Sequence, residues 1–338
     1  MAAEPQSLAE VPVRSIPLKL RITSAVNSIL NSLYLRKDGT INRALMTRLD
    51  QRAPATPKPV DGVSSKDFTY DEETKQILRI FTPVQEGEES KKKLPLIIYF
   101  HGGGFVGLDL ASKTFDTMVR LLVKDCNAVL VSVNYRLAPE FRYPAAYDDC
   151  FQALQWIRSE LKNEGSELSS IAEPSQCFLA GDSAGANITH FMMVRAAQND
   201  LRPVNIKGGV LIYPFFGGAE RSPFEKISPN ALILNLKVTD WFWAAFLPVG
   251  SDRDHPACNV FGPNAEDISG LSLPPVLVTI GSADILQDWQ VGYVEKMKQM
   301  GKEVKVKYTN CCHAEYIFPE TMKKVTTDAA EFIKLLIS

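Results

Sequence analysis

The amino-acid sequence predicts an α/β fold, in which a mostly parallel sheet is flanked by helices. Apolar runs of strand length alternate with longer segments of helical periodicity, which is typical of a parallel sheet covered on both faces. The run Leu94–Phe100 is predominantly apolar, as expected for a central strand. A third observation is the pentapeptide Gly-Asp-Ser-Ala-Gly at 181–185, which lies between a strand-like run and a helix-like segment.

Composition narrows the class of protein. The chain has 338 residues, of which 45% are hydrophobic and 22% charged, with a formal net charge of -2. Nothing in this balance favours nucleic acid or an anionic membrane surface as a partner. No uncharged apolar run reaches the roughly 18 residues of a membrane-spanning helix, and the N-terminus lacks a secretory pattern. We therefore expect a cytoplasmic protein that does not bind membranes.

The six cysteines include no C-x-x-C pair and have no zinc-ligand spacing. In a cytoplasmic chain such residues are usually small buried hydrophobes. Neither a metal nor an organic cofactor is expected.

Residues 1–60 are expected to form a helical segment ahead of the main fold. Apolar residues within 18–33 recur at intervals of three and four, which predicts an amphipathic helix. A second short helix is expected over 44–49, and the Pro-rich stretch 53–59 reads as a connector. The segment either packs on the body as an extra helix or forms part of a lid, and the residues alone favour neither.

Residues 61–338 are expected to form the main domain, with a charged loop over 86–93. The predicted strands cover 75–81, 94–100, 128–133, 176–180, 208–213, 275–280 and 303–308. The predicted helices cover 114–124, 146–162, 186–195, 286–300 and 321–336.

One stretch breaks the alternation of strands and helices. About 60 residues separate the strand ending at 213 from the strand starting at 275, and they contain the aromatic run Trp241-Phe242-Trp243. A plain connection would be far shorter. We expect a helical cap insertion at about 215–270 over the carboxyl edge of the sheet, where ligands bind in open α/β folds. The alternative is an extra helix packed on the flank.

Ser183 is the candidate nucleophile. It stands at the centre of G-x-S-x-G between a predicted strand and helix, the context of a nucleophile elbow. Ala184 begins the helix, so its N–H has no helical partner and can face a reacting carbonyl. The competing interpretation is a Gly-rich turn with an idle serine.

His313 is the candidate base among four histidines. His101 opens a glycine run, and His190 lies about two turns along the helix that follows Ser183, too far to reach it. His255 falls in the insertion. His313 follows the last predicted strand and leaves room before it for an acid at a strand end.

Asp284 is the candidate acid because it lies closest to the end of the strand over 275–280. Asp288 is expected instead in the first turn of the next helix, where a carboxylate is stabilised by the helix dipole. Three glycines follow His101, and bare backbone there can present N–H groups to an oxyanion. We expect Gly103 and Gly104, with Ala184, to be the donors. A phosphate-binding loop is less favoured because the trailing Lys-Ser/Thr is missing.

Several motifs together resemble one family. The segments 101–105 and 181–185, with Asn-Tyr-Arg-Leu-Ala-Pro-Glu at 134–140 and Tyr-Pro-Ala-Ala-Tyr-Asp-Asp at 143–149, resemble the hormone-sensitive-lipase-like branch of the α/β-hydrolases. Arg-Lys-Asp-Gly-Thr-Ile-Asn-Arg at 36–43 is similar to the N-terminal signature of plant carboxylesterases in that branch. The family often has glycine after the base, where this chain has Ala314.

The resemblance implies an α/β-hydrolase fold with a two-part cap, made of the N-terminal lid and the insertion. It also implies a triad of Ser183, Asp284 and His313. The expected function is that of a serine carboxylesterase that acts on small carboxylic esters, with no obligate protein partner.

Two other functions are open on this scaffold. The gibberellin receptors resemble this family and hold a small carboxylate ligand, but in them the triad histidine is replaced, whereas His313 is present here. Some plant relatives act as dehydratases on isoflavonoid-type substrates with a similar site.

Overall fold

The computed structural model describes residues 6–11, 15–85 and 92–337. The strands are β1 Val63–Asp71, β2 Gln76–Pro83, β3 Leu94–Phe100, β4 Val129–Val133, β5 Ala172–Asp182, β6 Ile206–Ile212, β7 Val276–Gly281 and β8 Val304–Thr309. The helices are α1 Leu18–Tyr34, α2 Arg43–Leu49, α3 Lys113–Cys126, α4 Ala145–Lys162, α5 Glu167–Ile171, α6 Ala184–Gln198, α7 Pro223–Ile227, α8 Leu236–Phe246, α9 Gln287–Gln299 and α10 Pro319–Ile337.

The strands form one eight-stranded sheet in the order β1-β2-β4-β3-β5-β6-β7-β8. Strands β3 to β8 are parallel, and β2 is antiparallel to both β1 and β4. In the central register, Ile98 lies opposite Val131 on one side and Leu179 on the other. The predicted mostly parallel sheet is therefore confirmed. It brings the carboxyl ends of β5, β7 and β8 to one edge.

Both faces of the sheet are buried under helices. Along β3, Ile97 and Tyr99 belong to the core formed with α3 and α10, whereas Ile98 and Phe100 belong to the core formed with α4 and α6. Successive side chains of a strand point to opposite faces, so a strand buried on both faces must be apolar throughout. This explains why β3 stands out so clearly in the sequence.

Two elements of the main domain were not predicted. Strand β1 lies at the edge of the sheet, where only Val63, Ser65 and Tyr70 are buried, and it has no apolar run. Helix α5 is only five residues long and precedes β5, which begins earlier than predicted. Helices α7 and α8 fall in the predicted insertion. Most of the charged loop expected at 86–93 lies outside the described residues.

Helix α1 covers the predicted segment 18–33 and turns its apolar side outwards. Leu18 is 72% exposed and Ile29 is 60% exposed. Its polar side faces the insertion: Ser24 Oγ accepts from Ile233 N at 3.0 Å, and Asn27 Nδ2 donates to Ile233 O at 2.9 Å. Among the described helices, none has the length and hydropathy needed to cross a bilayer.

Candidate active site

Ser183 lies in the turn between β5 and α6 with φ 51° and ψ −116°, a conformation that residues with a side chain rarely adopt. Its N–H donates to Ile212 O at 2.8 Å, and its carbonyl accepts from Phe215 N at 3.0 Å. A Cβ on Gly185 would lie 1.9 Å from Phe100 O, so only glycine allows the helix to approach the strand this closely. The strained turn holds the serine Oγ at the carboxyl edge of the sheet.

His313 lies in the loop between β8 and α10, and its Nε2 is 2.8 Å from Ser183 Oγ. Both side chains are buried. The next residue, Ala314, has φ 59° and ψ 13°, a left-handed conformation that costs a residue with a Cβ about 1 kcal/mol. Glycine would adopt it without strain, which gives a physical reason for the glycine of the resembling family. The alanine bears the strain while the imidazole stays within reach of the serine.

Asp284 holds the other side of the imidazole. Its Oδ2 lies 2.8 Å from His313 Nδ1 and also accepts from Gln290 Nε2 at 2.9 Å, while Oδ1 accepts from Leu286 N at 2.9 Å. The carboxylate is fully buried. Because it accepts hydrogen bonds, it keeps the proton of the neutral ring on Nδ1 and leaves Nε2 free to accept from the serine.

Asp288 has a different role. It lies in the first turn of α9, as its spacing indicated, and its Oδ2 accepts from Phe224 N at 2.7 Å. Phe224 belongs to the first turn of α7, so this carboxylate joins the insertion to the main domain. Asp284 and Asp288 therefore occupy separate environments four positions apart.

The glycine loop after β3 brings bare backbone towards the serine. Gly103 and Gly104 have φ values of 108° and 63°. A Cβ would lie 2.0 Å from Gly107 O at the first position and 2.3 Å from the Phe242 ring at the second, so neither position has space for a side chain. Within the described ranges, the N–H groups of Gly103, Gly104 and Ala184 donate to no backbone oxygen of the turns and loops.

Asp182, which sequence reasoning did not single out, is the buried brace of this region. Its carboxyl accepts from Gly102 N at 2.9 Å and from the hydroxyls of Tyr99 and Tyr316. Burial raises the pKa of this carboxyl above its ordinary value. The residue ties the glycine loop, β3 and the histidine loop together. The one available signal was its position beside Ser183 in the pentapeptide.

The other three histidines serve the scaffold. His101 is buried and stacks on Tyr135 with 4.3 Å between ring centroids, and its Nδ1 lies 2.8 Å from Gly102 O. These contacts fix the imidazole of His101 at the start of the glycine loop. His190 lies in an aromatic cluster with Nδ1 3.1 Å from Tyr293 OH. His255 Nδ1 accepts a backbone N–H within the insertion.

A cavity of about 230 Å³ lies over Ser183 and His313. Helix α1 forms part of its wall. No group of three or more His, Cys, Asp or Glu residues is arranged to hold a metal ion in the described part of the chain. The apolar wall includes Phe115, Phe215, Ile233, Leu234, Val238, Phe242 and Ile317, and the polar residues from α1 are Asn27, Asn31 and Tyr34.

The chain belongs to the α/β-hydrolase fold family, whose sequence pattern it matches over residues 97–317. Solved structures agree at the level of the fold: an arylesterase superposes with a TM-score of 0.74 and 23% identity, covering 96% of this chain and 100% of that one.

Plant proteins of two kinds are similar to it in sequence. The gibberellin receptor GID1C of Arabidopsis thaliana is 40% identical, with 87% of this chain and 86% of the receptor aligned. Carboxylesterase 20 of the same plant is 38% identical over 80% and 85% of the two chains. The 3-O-acetylpapaveroxine carboxylesterase CXE1 of Papaver somniferum is 37% identical over 76% and 82%. Receptors and esterases thus share this scaffold at similar identity.

Proposed function

We propose that this chain is a serine carboxylesterase that hydrolyses small carboxylic esters through Ser183, His313 and Asp284. The observation that carries the proposal is the unbroken hydrogen-bonded chain from serine to carboxylate, with 2.8 Å at both links. A nucleophile within reach of a base, and a base oriented by a buried acid, is the arrangement that activates a serine.

The reaction follows from this geometry. Ser183 Oγ attacks the ester carbonyl while His313 Nε2 takes its proton, and Asp284 stabilises the imidazolium that forms. The imidazolium then gives the proton to the departing alkoxide, which leaves as an alcohol. Water repeats the sequence on the acyl-enzyme with His313 again as the base, and the carboxylic acid leaves.

The negative charge on the carbonyl oxygen needs donors. We assign the N–H groups of Gly103, Gly104 and Ala184 to this role, because each comes from backbone that borders the serine. Loss of one such donor typically raises a barrier by about 3 kcal/mol.

The test is the mass of the intact protein after brief treatment with paraoxon, followed by peptide mapping. We expect one stoichiometric adduct on Ser183, absent from Ser183→Ala and slow to form in His313→Ala. Folded wild-type protein that gains no adduct would rule out the proposed mechanism.

Two neighbouring carboxylates provide a matched pair for steady-state kinetics on a p-nitrophenyl ester. We expect Asp284→Asn to lower kcat by about 10³- to 10⁴-fold, because the amide can hold the imidazole in the wrong tautomer. Asp288→Asn should stay within about twofold of wild type, because that carboxylate contacts α7 and not the imidazole. Similar losses in both variants would show that the assigned acid is wrong.

A second candidate is a small-molecule receptor, favoured by the similarity to a gibberellin receptor and by the exposed apolar side of α1, on which a protein could dock. The paraoxon result separates the two. An activated serine with ester turnover supports the esterase, and ligand binding without any adduct would support the receptor.

A further inference from the structure

The cavity over Ser183 is bordered by no charged side chain among the described residues. Two carboxyls lie directly behind the cavity wall, and both are already bonded: Asp182 is fully buried and accepts from Tyr316, and Asp284 is fully buried and bonded to His313. A ligand in this space therefore meets apolar walls, backbone and neutral side chains.

Three neutral polar groups on the wall make no side-chain hydrogen bond within the described residues: Asn31 and Tyr34 from α1, and Thr114 from α3. By contrast, the neighbouring Asn27 is already bonded to the backbone of Ile233. Burial raises the pKa of Tyr34, so its hydroxyl stays a neutral donor over the ordinary pH range. These amide and hydroxyl groups can therefore form hydrogen bonds with a polar group of a bound ligand.

We infer that this site takes a small neutral ester whose end remote from the reacting carbonyl carries an uncharged hydrogen-bonding group, such as a hydroxyl or carbonyl, and that it discriminates against carboxylates. The inference rests on the proposed esterase function, because its kinetic tests measure ester turnover. Its physical basis is independent of catalysis, because burying a charge without a partner is far more costly than burying a neutral polar group that finds one.

The volume of the cavity and the weak charge of the α3 N-terminus beside it agree with this assignment. A volume of about 230 Å³ lies below the range of about 300–1,000 Å³ that is usual for drug-sized ligands. The first turn of α3 borders the cavity, but a helix N-terminus carries only about half a positive charge. A full carboxylate would therefore lack a compensating cation.

Three p-nitrophenyl esters with a five-carbon acyl chain test the charge preference: p-nitrophenyl valerate, mono-p-nitrophenyl glutarate, and methyl p-nitrophenyl glutarate. The second carries a carboxylate where the first carries a methyl group, and the third masks that carboxylate as a neutral ester. We expect kcat/KM for the charged ester to be at least about 100-fold below that for its methyl ester. Equal values for these two would overturn the inference.

The polar groups on α1 are tested with the same esters. Asn31→Leu and Tyr34→Phe should each lower kcat/KM for the methyl diester about fivefold relative to kcat/KM for the valerate, which is the effect of one lost hydrogen bond. Equal effects on both neutral esters would contradict the assigned recognition of a polar group.

A charge placed on α1 should reverse the preference. We expect Asn31→Lys to lower the ratio of kcat/KM for the neutral diester to kcat/KM for the charged ester at least tenfold. Ile29→Lys is the matched control, because that side chain points about 160° away around the helix and is 60% exposed. A ratio that is unchanged by Asn31→Lys, or narrowed equally by Ile29→Lys, would contradict the placement of Asn31.

Failure of the esterase function can be told apart from failure of this inference. If wild type hydrolyses none of the three esters, the proposed function fails. Calorimetric binding of the same esters to Ser183→Ala then decides the charge preference alone. Tighter binding of the methyl diester than of the charged ester supports it, and equal affinities overturn it.

Discussion

At the scale of single residues, Asp182 shows how one buried side chain can join the parts of a site without lining its cavity. Its carboxyl accepts from the backbone of Gly102 and from the hydroxyls of Tyr99 and Tyr316. These partners come from the glycine loop, the central strand and the loop that carries the candidate base. The carboxyl thus links the loop of the predicted oxyanion donors to the loop that carries the imidazole.

We expect Asp182→Asn to lower kcat about 10- to 100-fold and to leave KM within about threefold. The amide presents a donor to groups that are themselves donors, and a mismatched buried hydrogen bond costs about 1–3 kcal/mol. Kinetics on a neutral p-nitrophenyl ester, with the melting temperature of each variant, check this. Asp148→Asn is the control, because that carboxylate is 54% exposed and pairs with Arg195 away from the site. A variant with unchanged kcat would show that Asp182 does not position the loop.

The candidate residues that the sequence could single out share a local signature. Ser183 stands in a five-residue motif, the glycines follow a clear strand, and His313 emerges by elimination among four histidines. Asp182 stands in the same motif, which does not indicate its hydrogen-bond partners, and Gln290 has no local signature. Their importance depends on which hydrogen-bond partners the fold brings to them from far along the chain, and sequence spacing does not contain that information.

At the scale of elements, α1 is held over the cavity by an unusual contact with the insertion. Ile233 has φ 63°, a left-handed conformation that is strained for a β-branched residue. Both of its backbone groups are bound by α1 side chains one turn apart, Ser24 and Asn27. A third bond runs from Trp241 Nε1 to Arg36 O at 2.8 Å. Strain of this kind persists only where surrounding contacts enforce it.

We expect the double variant Ser24→Ala/Asn27→Ala to loosen α1 while the main domain stays folded. Two hydrogen bonds are lost and the strained backbone is free to relax, so amide exchange in α1 should speed up at least tenfold. Hydrogen exchange with mass spectrometry measures this. Ser28→Ala on the exposed side of the same helix is the control. Unchanged protection in the double variant would mean that these bonds do not hold the helix.

The periodicity of α1 predicted its existence but not its orientation. In a globular domain an apolar stripe is expected to face the core. Here Leu18 and Ile29 face solvent, whereas Asn27 and Asn31 line the cavity. The orientation is set by hydrogen bonds to the insertion and by the loop that follows α1. Neither contact can be predicted from the hydrophobic periodicity of the helix.

At the scale of the whole molecule, the parallel sheet decides where chemistry is possible. Loops after β5, β7 and β8 leave the same edge, so Ser183, Asp284 and His313 meet although 130 positions separate the serine from the histidine. Alternating elements and doubly buried strands made this architecture predictable. The edge strand β1 was not predictable in the same way, because it is half exposed and carries no apolar run.

The buried His190 links the stability of the whole fold to pH. Burial lowers its pKa to about 3, against about 6.5 in the unfolded chain. Below pH 6.5 the unfolded state binds a proton that the folded state excludes, so the free energy of unfolding falls as pH falls towards 3. At about 1.4 kcal/mol for each pH unit, lowering the pH from 6.5 to 5 removes about 2 kcal/mol through this group.

We therefore expect His190→Gln to be less stable than wild type at pH 7. On acidification to pH 5, its free energy of unfolding should fall by about 2 kcal/mol less than that of wild type. Glutamine can still bond to Tyr293 OH, which the native ring contacts at 3.1 Å, but it does not titrate. Urea unfolding at the two pH values measures the difference. His255→Gln is the comparison, because that ring is only half-buried. This substitution should have a smaller effect on the fall in the free energy of unfolding between pH 7 and pH 5. Equal acid losses in wild type and His190→Gln would mean that another group carries the pH dependence, or that the fold opens around His190 before it unfolds.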